Sequence, residues 1–158
     1  MADAKPIPED RTYVVPHLAV KGAANAIAFY EEAFGAVEKL RMDAPDGRII
    51  HAEVDIGGYL VFLADDFPEM NEGKESSPEG LGGTTVTMHR YVPDCDAAIA
   101  RAVAAGAEVV FPIADMFWGD RFGKIRDPFG HEWSIATHVR DPSPEEMASA
   151  AADLFAPE

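Results

Sequence analysis

His17, His89 and Glu132 carry the donor chemistry best suited to a divalent transition metal: two imidazole nitrogens and a carboxylate. The same two histidines serve equally well as hydrogen-bonding groups that line a ligand cleft without metal. A second set, His51, Glu53 and Asp55, alternates with period two and so shares one face of a strand. It reads either as a ligand-contacting set or as an exposed sheet face. Aromatic residues crowd one stretch: Phe117, Trp118, Phe122, Phe129 and Trp133. An apolar pocket with a few polar groups is the usual make-up of a small-ligand site, and core packing accounts for the same residues. Arg121 suits a carboxylate or phosphate on a ligand, or else a salt bridge to Asp120 or Asp127. The candidate ligand-binding set is therefore His17, His51, His89, Phe117, Trp118, Arg121, Glu132 and Trp133. No nucleophile and base stand at a recognisable spacing, so no catalytic residue is assigned.

These side chains need elements to hold them. Asp127-Pro128-Phe129-Gly130 has the turn chemistry of a hairpin: Asp bonds its own backbone, Pro presets φ, and Gly supplies φ > 0. Strand-like alternation flanks it over Arg121–Arg126 and Glu132–Thr137. Upstream, Tyr13–Val20 reads as a strand with Pro16 marking an edge or bulge. Ala26, Ile27, Tyr30, Ala33 and Phe34 then recur at three and four, which predicts a helix over Ala23–Phe34 stopped by Gly35. Val37–Met42, Ile49–Ile56 and Tyr59–Ala64 follow as strands, separated by Pro45-Asp46-Gly47 and Gly57-Gly58.

The order β-α-β-β-β then returns. Thr84–Val92 is a strand, Asp94 an N-cap, Ala97–Ala105 a helix stopped by Gly106, and Glu108–Phe111 opens the second set of strands. A shift of 72 places His17 on His89, Val20 on Val92, Ala26 on Ala98, Ile27 on Ile99 and Gly58 on Gly130. One residue of slack brings Gly35 onto Gly106. Shared order and shared punctuation argue for a fused repeat. Between the halves, residues 65–83 are rich in Gly, Ser, Pro and acid, and read as a flexible acidic loop, a linker or flap. The expected organisation is a first module over 12–64, the loop over 65–83, a second module over 84–139, and a helical tail over 140–158. In the tail, Ser143-Pro144-Glu145-Glu146 is a capping box, and Met147, Ala150, Ala151, Leu154 and Phe155 form one apolar stripe. Residues 1–11 read as a loose arm.

Composition narrows the function. A chain of 158 residues with 47% apolar and 26% charged residues suits one soluble domain or two small modules. Its formal charge of −15 disfavours nucleic acid and anionic membranes, and attracts cations or simply confers solubility. The single cysteine, Cys95, excludes an intrachain disulfide and any multi-cysteine metal site. No apolar run approaches a membrane span, and a cytoplasmic location is expected.

The paired repeat resembles the vicinal oxygen chelate superfamily, which includes glyoxalase I and the bleomycin-resistance proteins, and more narrowly its PhnB-like branch. The residues that carry the resemblance are Pro16-His17-Leu18, the run from Ala26 to Ala36, His51-Ala52-Glu53, the run from Phe117 to Arg121 and the run from Asp127 to Thr137. It implies an α+β fold: two fused βαβββ modules that curl into a partly open β-barrel around a central cleft, here with an added C-terminal helix. In metal-dependent members, His or Glu ligands come from the first and last strands of each module. Carried across, those positions are Val15, Phe62, Thr87 and Ser134. Val and Phe cannot ligate, and Thr and Ser are poor ligands without carboxylates nearby. The standard metal site is therefore missing, and no cofactor is expected. The first function this implies is a metal-free protein that binds a small molecule in its cleft. The alternative is a metal-dependent lyase, isomerase or dioxygenase that holds one divalent ion with His17, His89 and Glu132. A third is assembly through the C-terminal helix. A homodimer is expected, as in many such chains.

Overall fold

Each half of the chain folds as β-α-β-β-β. The first half forms β1 (His17–Val20), α1 (Ala23–Phe34), β2 (Val37–Asp43), β3 (Ile49–Ile56) and β4 (Tyr59–Asp65). A 3-10 turn (Pro68–Met70) and the four-residue α2 (Pro78–Leu81) precede the second half. That half forms β5 (Thr87–Tyr91), α3 (Cys95–Ala105), β6 (Glu108–Asp115), β7 (Asp120–Arg126) and β8 (Glu132–His138), and α4 (Pro144–Leu154) closes the chain. The structure, a computed structural model, describes residues 5–9 and 14–156. Most of the arm expected over residues 1–11, and Tyr13 of the expected first strand, lie outside the described residues. The chain divides into two units at Thr84 and Thr85.

The strands form two four-stranded mixed sheets, ordered β1-β4-β3-β2 and β5-β8-β7-β6, with no closed barrel among the described residues. In each sheet the first pair is parallel and the other two are antiparallel. The α+β class and the doubled βαβββ order are as expected. The repeat extends to register. His17 pairs with Phe62 and His89 with Ser134, each pair shifted by 72 from the other. The slack also has a structural origin. α1 has 12 residues and α3 has 11, whereas the turn after β3 uses Gly57 and Gly58 and the turn after β7 uses residues 128–130. One residue lost in the helix is regained in the turn. Gly57 and Gly58 both have positive φ, 64° and 91°, the pattern of a two-residue hairpin turn that twists with its strands.

One helix covers one face of each sheet. α1 buries Ala26, Ile27, Tyr30, Ala33 and Phe34 on the side where β1, β3 and β4 turn Leu18, Val20, Val54, Val61 and Leu63 inward. α3 buries Cys95, Ile99 and Ala102 on the side of Ile125, Trp133 and Ile135. Burial of each large side chain contributes about 1.5–3 kcal/mol. The face of each sheet away from its helix is left for other work.

One expectation needs correction. The segment 65–83 is not a featureless loop. Asp66 is 7% exposed and accepts the Ser76 and Ser77 amides at 2.9 Å each, with the Ser76 hydroxyl at 2.9 Å. Ser77, fully buried, caps α2. Polar anchoring does here what apolar burial does elsewhere, which composition alone does not reveal. Asp65 also takes part. It accepts Gly22 and Ala23 amides at the start of α1 and the Ile49 amide at the start of β3. The tail, by contrast, is as predicted: Ser143 and Glu146 form a reciprocal capping box. Its apolar stripe stays open, with Leu154 65% and Phe155 86% exposed.

Candidate functional site

The face of the second sheet away from α3 is an aromatic platform. Period-two alternation puts Glu132, Ser134, Ala136 and His138 of β8 on this face. Their register partners Arg126, Lys124, Phe122 and Asp120 come from β7, and Thr87, His89 and Tyr91 from β5. Phe122 sits at its centre. The His89 ring stacks near-parallel to it at 6.2 Å, while Phe111 and Trp118 stand edge-on at 5.8 and 5.7 Å. Phe117 extends the row beyond Trp118 at 5.1 Å, and Tyr91 abuts His89 at 4.7 Å. Edge-to-face rings hold one another in place and leave π-faces for a ligand. His89 is further fixed by a 2.6 Å hydrogen bond between its Nδ1 and the Ser134 hydroxyl.

A buried carboxylate supports the platform. Asp120, 3% exposed, accepts the Trp118 indole N–H and the Tyr91 hydroxyl at 3.1 Å each, and bonds His138 Nδ1 at 2.8 Å. His138 Nε2 reaches Asp141 at 2.9 Å. Asp120 and then Asp141 raise the His138 pKa, and Asp120 raises that of Tyr91. Gly119 makes this turn possible. Its φ is 104°, and a Cβ there would lie 2.1 Å from the Arg140 carbonyl oxygen. The Trp-Gly-Asp run is thus one device: a turn only glycine permits, and a carboxylate that aims the indole.

The corresponding face of the first sheet is built from other chemistry. His17, Phe62, Glu53 and His51 cluster on it. The His17 and His51 ring centres are 6.0 Å apart, and Phe62 meets them at 6.1 and 4.8 Å respectively. His51 Nε2 lies 3.3 Å from Glu53 Oε1, and Glu53 is only 6% exposed. Burial, and then the charge of His51, lower the His17 pKa. His51 and Glu53 therefore belong to a ring-and-carboxylate cluster rather than to a bland exposed face.

The remaining predicted residues fall elsewhere. Trp133 is 2% exposed, on the side toward α3, and its indole donates to Asp127 at 2.9 Å. It is core, because odd and even positions of β8 face opposite ways. Asp127 also accepts the Phe129 and His131 amides, so the Asp-Pro-Phe-Gly turn is a structural latch and Phe129 part of it. Arg121 also points toward α3. It is held by Asp96 and Asp115, not by Asp120 or Asp127, and both acids raise its pKa. Glu132 is ion-paired with Lys124 and Arg126, which lower its pKa. Tyr91, Phe111 and Lys124 belong to the face although the sequence reading passed them over, and Asp120 joins it as the partner of Trp118 and Tyr91 rather than of Arg121. Alternation outward from Phe122 and Glu132 is the signal that finds most of them. A cavity of about 430 Å³ opens at the start of α1, lined by Lys21, Asn25, Asp46, Arg48 and Asp66 among others. Its cations are engaged, Lys21 with Glu75 and Arg48 with Asp46 and Glu69.

The candidate metal ligands offer few unengaged donor atoms. At the positions the resemblance singles out, Val15 and Phe62 have no donor atom, and Ser134 is bonded to His89. Of the alternative set, Glu132 is occupied by two cations. Among the described residues, no group of three or more His, Cys, Asp or Glu side chains is placed to hold a metal ion.

Comparison with known proteins agrees with this architecture. The sequence model of the Glyoxalase/Bleomycin resistance protein/Dioxygenase superfamily matches residues 12–135. The Mycobacterium tuberculosis protein Rv0887c is 50% identical over 135 residues, 85% of this chain and 79% of that protein. The crystal structure of TioX from Micromonospora sp. ML1 aligns with a TM-score of 0.62 at 31% identity, covering 82% of this chain and all of that one. The fold alone is shared with the PhnB protein of Bacillus cereus, at 16% identity and a TM-score of 0.63 over 80% of this chain and 99% of that one.

Proposed function

Because the chain belongs to the glyoxalase/bleomycin resistance protein/dioxygenase superfamily, we propose that it binds a small molecule on its helix-free sheet faces, without a resident metal. The observation that carries this reading is the row of rings around Phe122, held by Asp120 and Ser134. Three hydrogen bonds offset the burial of Asp120 and hold the indole at the edge of the ring row, which gives the face a fixed apolar shape with a few polar groups. The Trp-Gly-Asp-Arg and Asp-Pro-Phe-Gly-His runs support a place in the PhnB-like branch. The four side chains at the superfamily's ligand positions support a metal-free site, because they include no strong donor. We also propose a homodimer in a cytoplasmic setting. Among the described residues, no helix is long and apolar enough to cross a membrane.

The test uses 1-naphthol as a flat neutral probe and protein stripped with EDTA. Binding is expected in the chelated protein, with affinity about tenfold lower in Phe122→Ala, the size of losing one buried ring. Binding that appears only after zinc, nickel, manganese or iron is restored would overturn the metal-free reading. So would stoichiometric metal in the purified protein that is lost in His17→Ala or His89→Ala.

A further inference from the structure

The helix-free face of the second module changes chemistry along its strands, and the register shows the change row by row. One row reads Thr87, Glu132, Arg126 and Glu108, from β5, β8, β7 and β6. The next reads His89, Ser134, Lys124 and Phe111, and the one after it Tyr91, Ala136, Phe122 and Ala114. Beyond these come His138 and Asp120, with the Trp118 indole bonded to Asp120. Lys124 and Arg126 both lie to one side of the rings. Lys124 is the nearer, two residues or about 7 Å along β7 from Phe122.

These two cations already grip a carboxylate. Glu132 accepts from Arg126 Nη2 at 2.9 Å through Oε1 and pairs with Lys124 Nζ through Oε2, so each oxygen is taken by one cation. The pair is sheltered, with the Lys124 side chain 26% and the Glu132 side chain 16% exposed, and water screens it less than it screens an open surface pair. Two positive charges against one negative leave the triad positive. An ammonium has three N–H groups and a guanidinium five, so both cations keep donors for a second carboxylate. Glu108, opposite Arg126, stands exposed on the edge strand, one row farther from the rings than Lys124. The repeat itself does not require this arrangement. Phe62 and Leu60, equivalent to Ser134 and Glu132 by the shift of 72, pair with Glu53 and Asp55, so acids stand in the first module where Lys124 and Arg126 stand in the second.

We propose that the second module's helix-free face binds an aromatic carboxylate, its ring against Phe122 and His89 and its carboxylate at Lys124 and Arg126. This deepens the small-molecule reading and rests on it, since it supposes that a ligand reaches this face. The ligand's carboxylate uses the donors that Glu132 leaves, or takes its place. A carboxylate on a short arm bridges the distance from Phe122, because the lysine stem covers part of it. Lys124 thereby decides between an acid and its neutral isostere. A cationic ligand would meet two like charges and a carboxylate whose oxygens are both engaged.

The experiment compares 1-naphthylacetate with 1-naphthylacetamide, nearly the same shape without the charge, at neutral pH and constant ionic strength. The Trp118 indole N–H signal is followed by NMR as each is added to the full-length protein. Both should shift it saturably, the acid about tenfold more tightly, the size of one charge-assisted hydrogen bond. Lys124→Met, which keeps an apolar stem, should bring the two affinities together. Glu132→Gln, which releases both cations from their resident carboxylate, should widen the preference, and it tests the proposal even if Lys124→Met fails to fold. Equal affinities in the unaltered protein, a preference that survives Lys124→Met, or one that narrows in Glu132→Gln would overturn the proposal. Amide binding without a preference for the acid sinks this inference alone, and failure of both probes to bind sinks the binding function with it.

Discussion

The two modules share a scaffold and differ in what they display on it. Both stack one helix on a β1-β4-β3-β2 type of sheet, and both pin the ends of their strands with buried aspartates: Asp65 and Asp66 in the first, Asp120 and Asp127 in the second. On the opposite face, Glu53, Asp55 and His51 give way to Lys124, Arg126 and Phe122. A repeat can keep its helix-side positions, which decide stability, while the other side diverges, because period-two alternation separates the two sets along every strand.

If the scaffold is truly shared, equivalent core substitutions should cost alike. Trp133→Ala should lose about 3–5 kcal/mol in urea unfolding, and Ile27→Ala and Ile99→Ala about 2–5 kcal/mol each. Trp118→Ala, on the half-buried platform, should cost about 1 kcal/mol. A Trp118 loss as large as that of Trp133 would break the division between core side and display side.

The modules should also loosen at opposite ends of the pH scale. Burial pushes the Asp66 carboxyl up, but the Ser77 and Ser76 amides and hydroxyls outweigh it and bring it down to about 2 from 3.8. That stabilisation is present above pH 3.8 and is lost as the pH falls toward 2. His138, equivalent to Asp66 by the shift of 72, has its pKa raised by Asp120 and Asp141. Its contribution is present below pH 6.5 and is lost as the pH rises through the raised value. Protection of the Ser76 and Ser77 amides, measured against their intrinsic exchange rates, should therefore fall in acid, and the Trp118 indole signal should shift in mild alkali. Asp66→Asn and His138→Gln should each abolish one response and leave the other, and a single transition common to both modules would contradict this.

The smallest expected effect concerns the tail, which only the second module carries. Truncation after Arg140 should leave the melting behaviour of both modules within about 0.5 kcal/mol, since α4 buries no residue within the chain. It should weaken the proposed homodimer, which light scattering at micromolar concentration measures. A full-length mass near one chain would remove the dimer.

What was legible in the sequence was what short-range pattern encodes. Ala26 to Phe34 gave a helix through spacing, Gly35 and Gly106 ended the two helices where expected, and Ser143 with Glu146 formed the box it spelled. What was not legible depended on partners far away in sequence. Arg121 is answered by Asp96, 25 residues off, and the Gly22 amide by Asp65, 43 residues off. Trp133 was misplaced for a different reason. Its neighbours Glu132 and Ser134 already define the other face of β8, so alternation placed it in the core, but proximity to Phe122 in the sequence suggested a pocket. Segment 65–83 misled through composition, because Asp66 organises it by hydrogen bonds instead of apolar area.

The central claim is that the helix-free face of the second module takes a small molecule without metal. The chain has two tryptophans, one on that face and one on the side toward α3. Their indole N–H signals therefore report the two sides separately as 1-naphthol is added to EDTA-treated protein. The account predicts that the Trp118 signal moves saturably while the Trp133 signal, bonded to Asp127 in the core, stays where it is. Movement of Trp133 alone, or of neither, would contradict it.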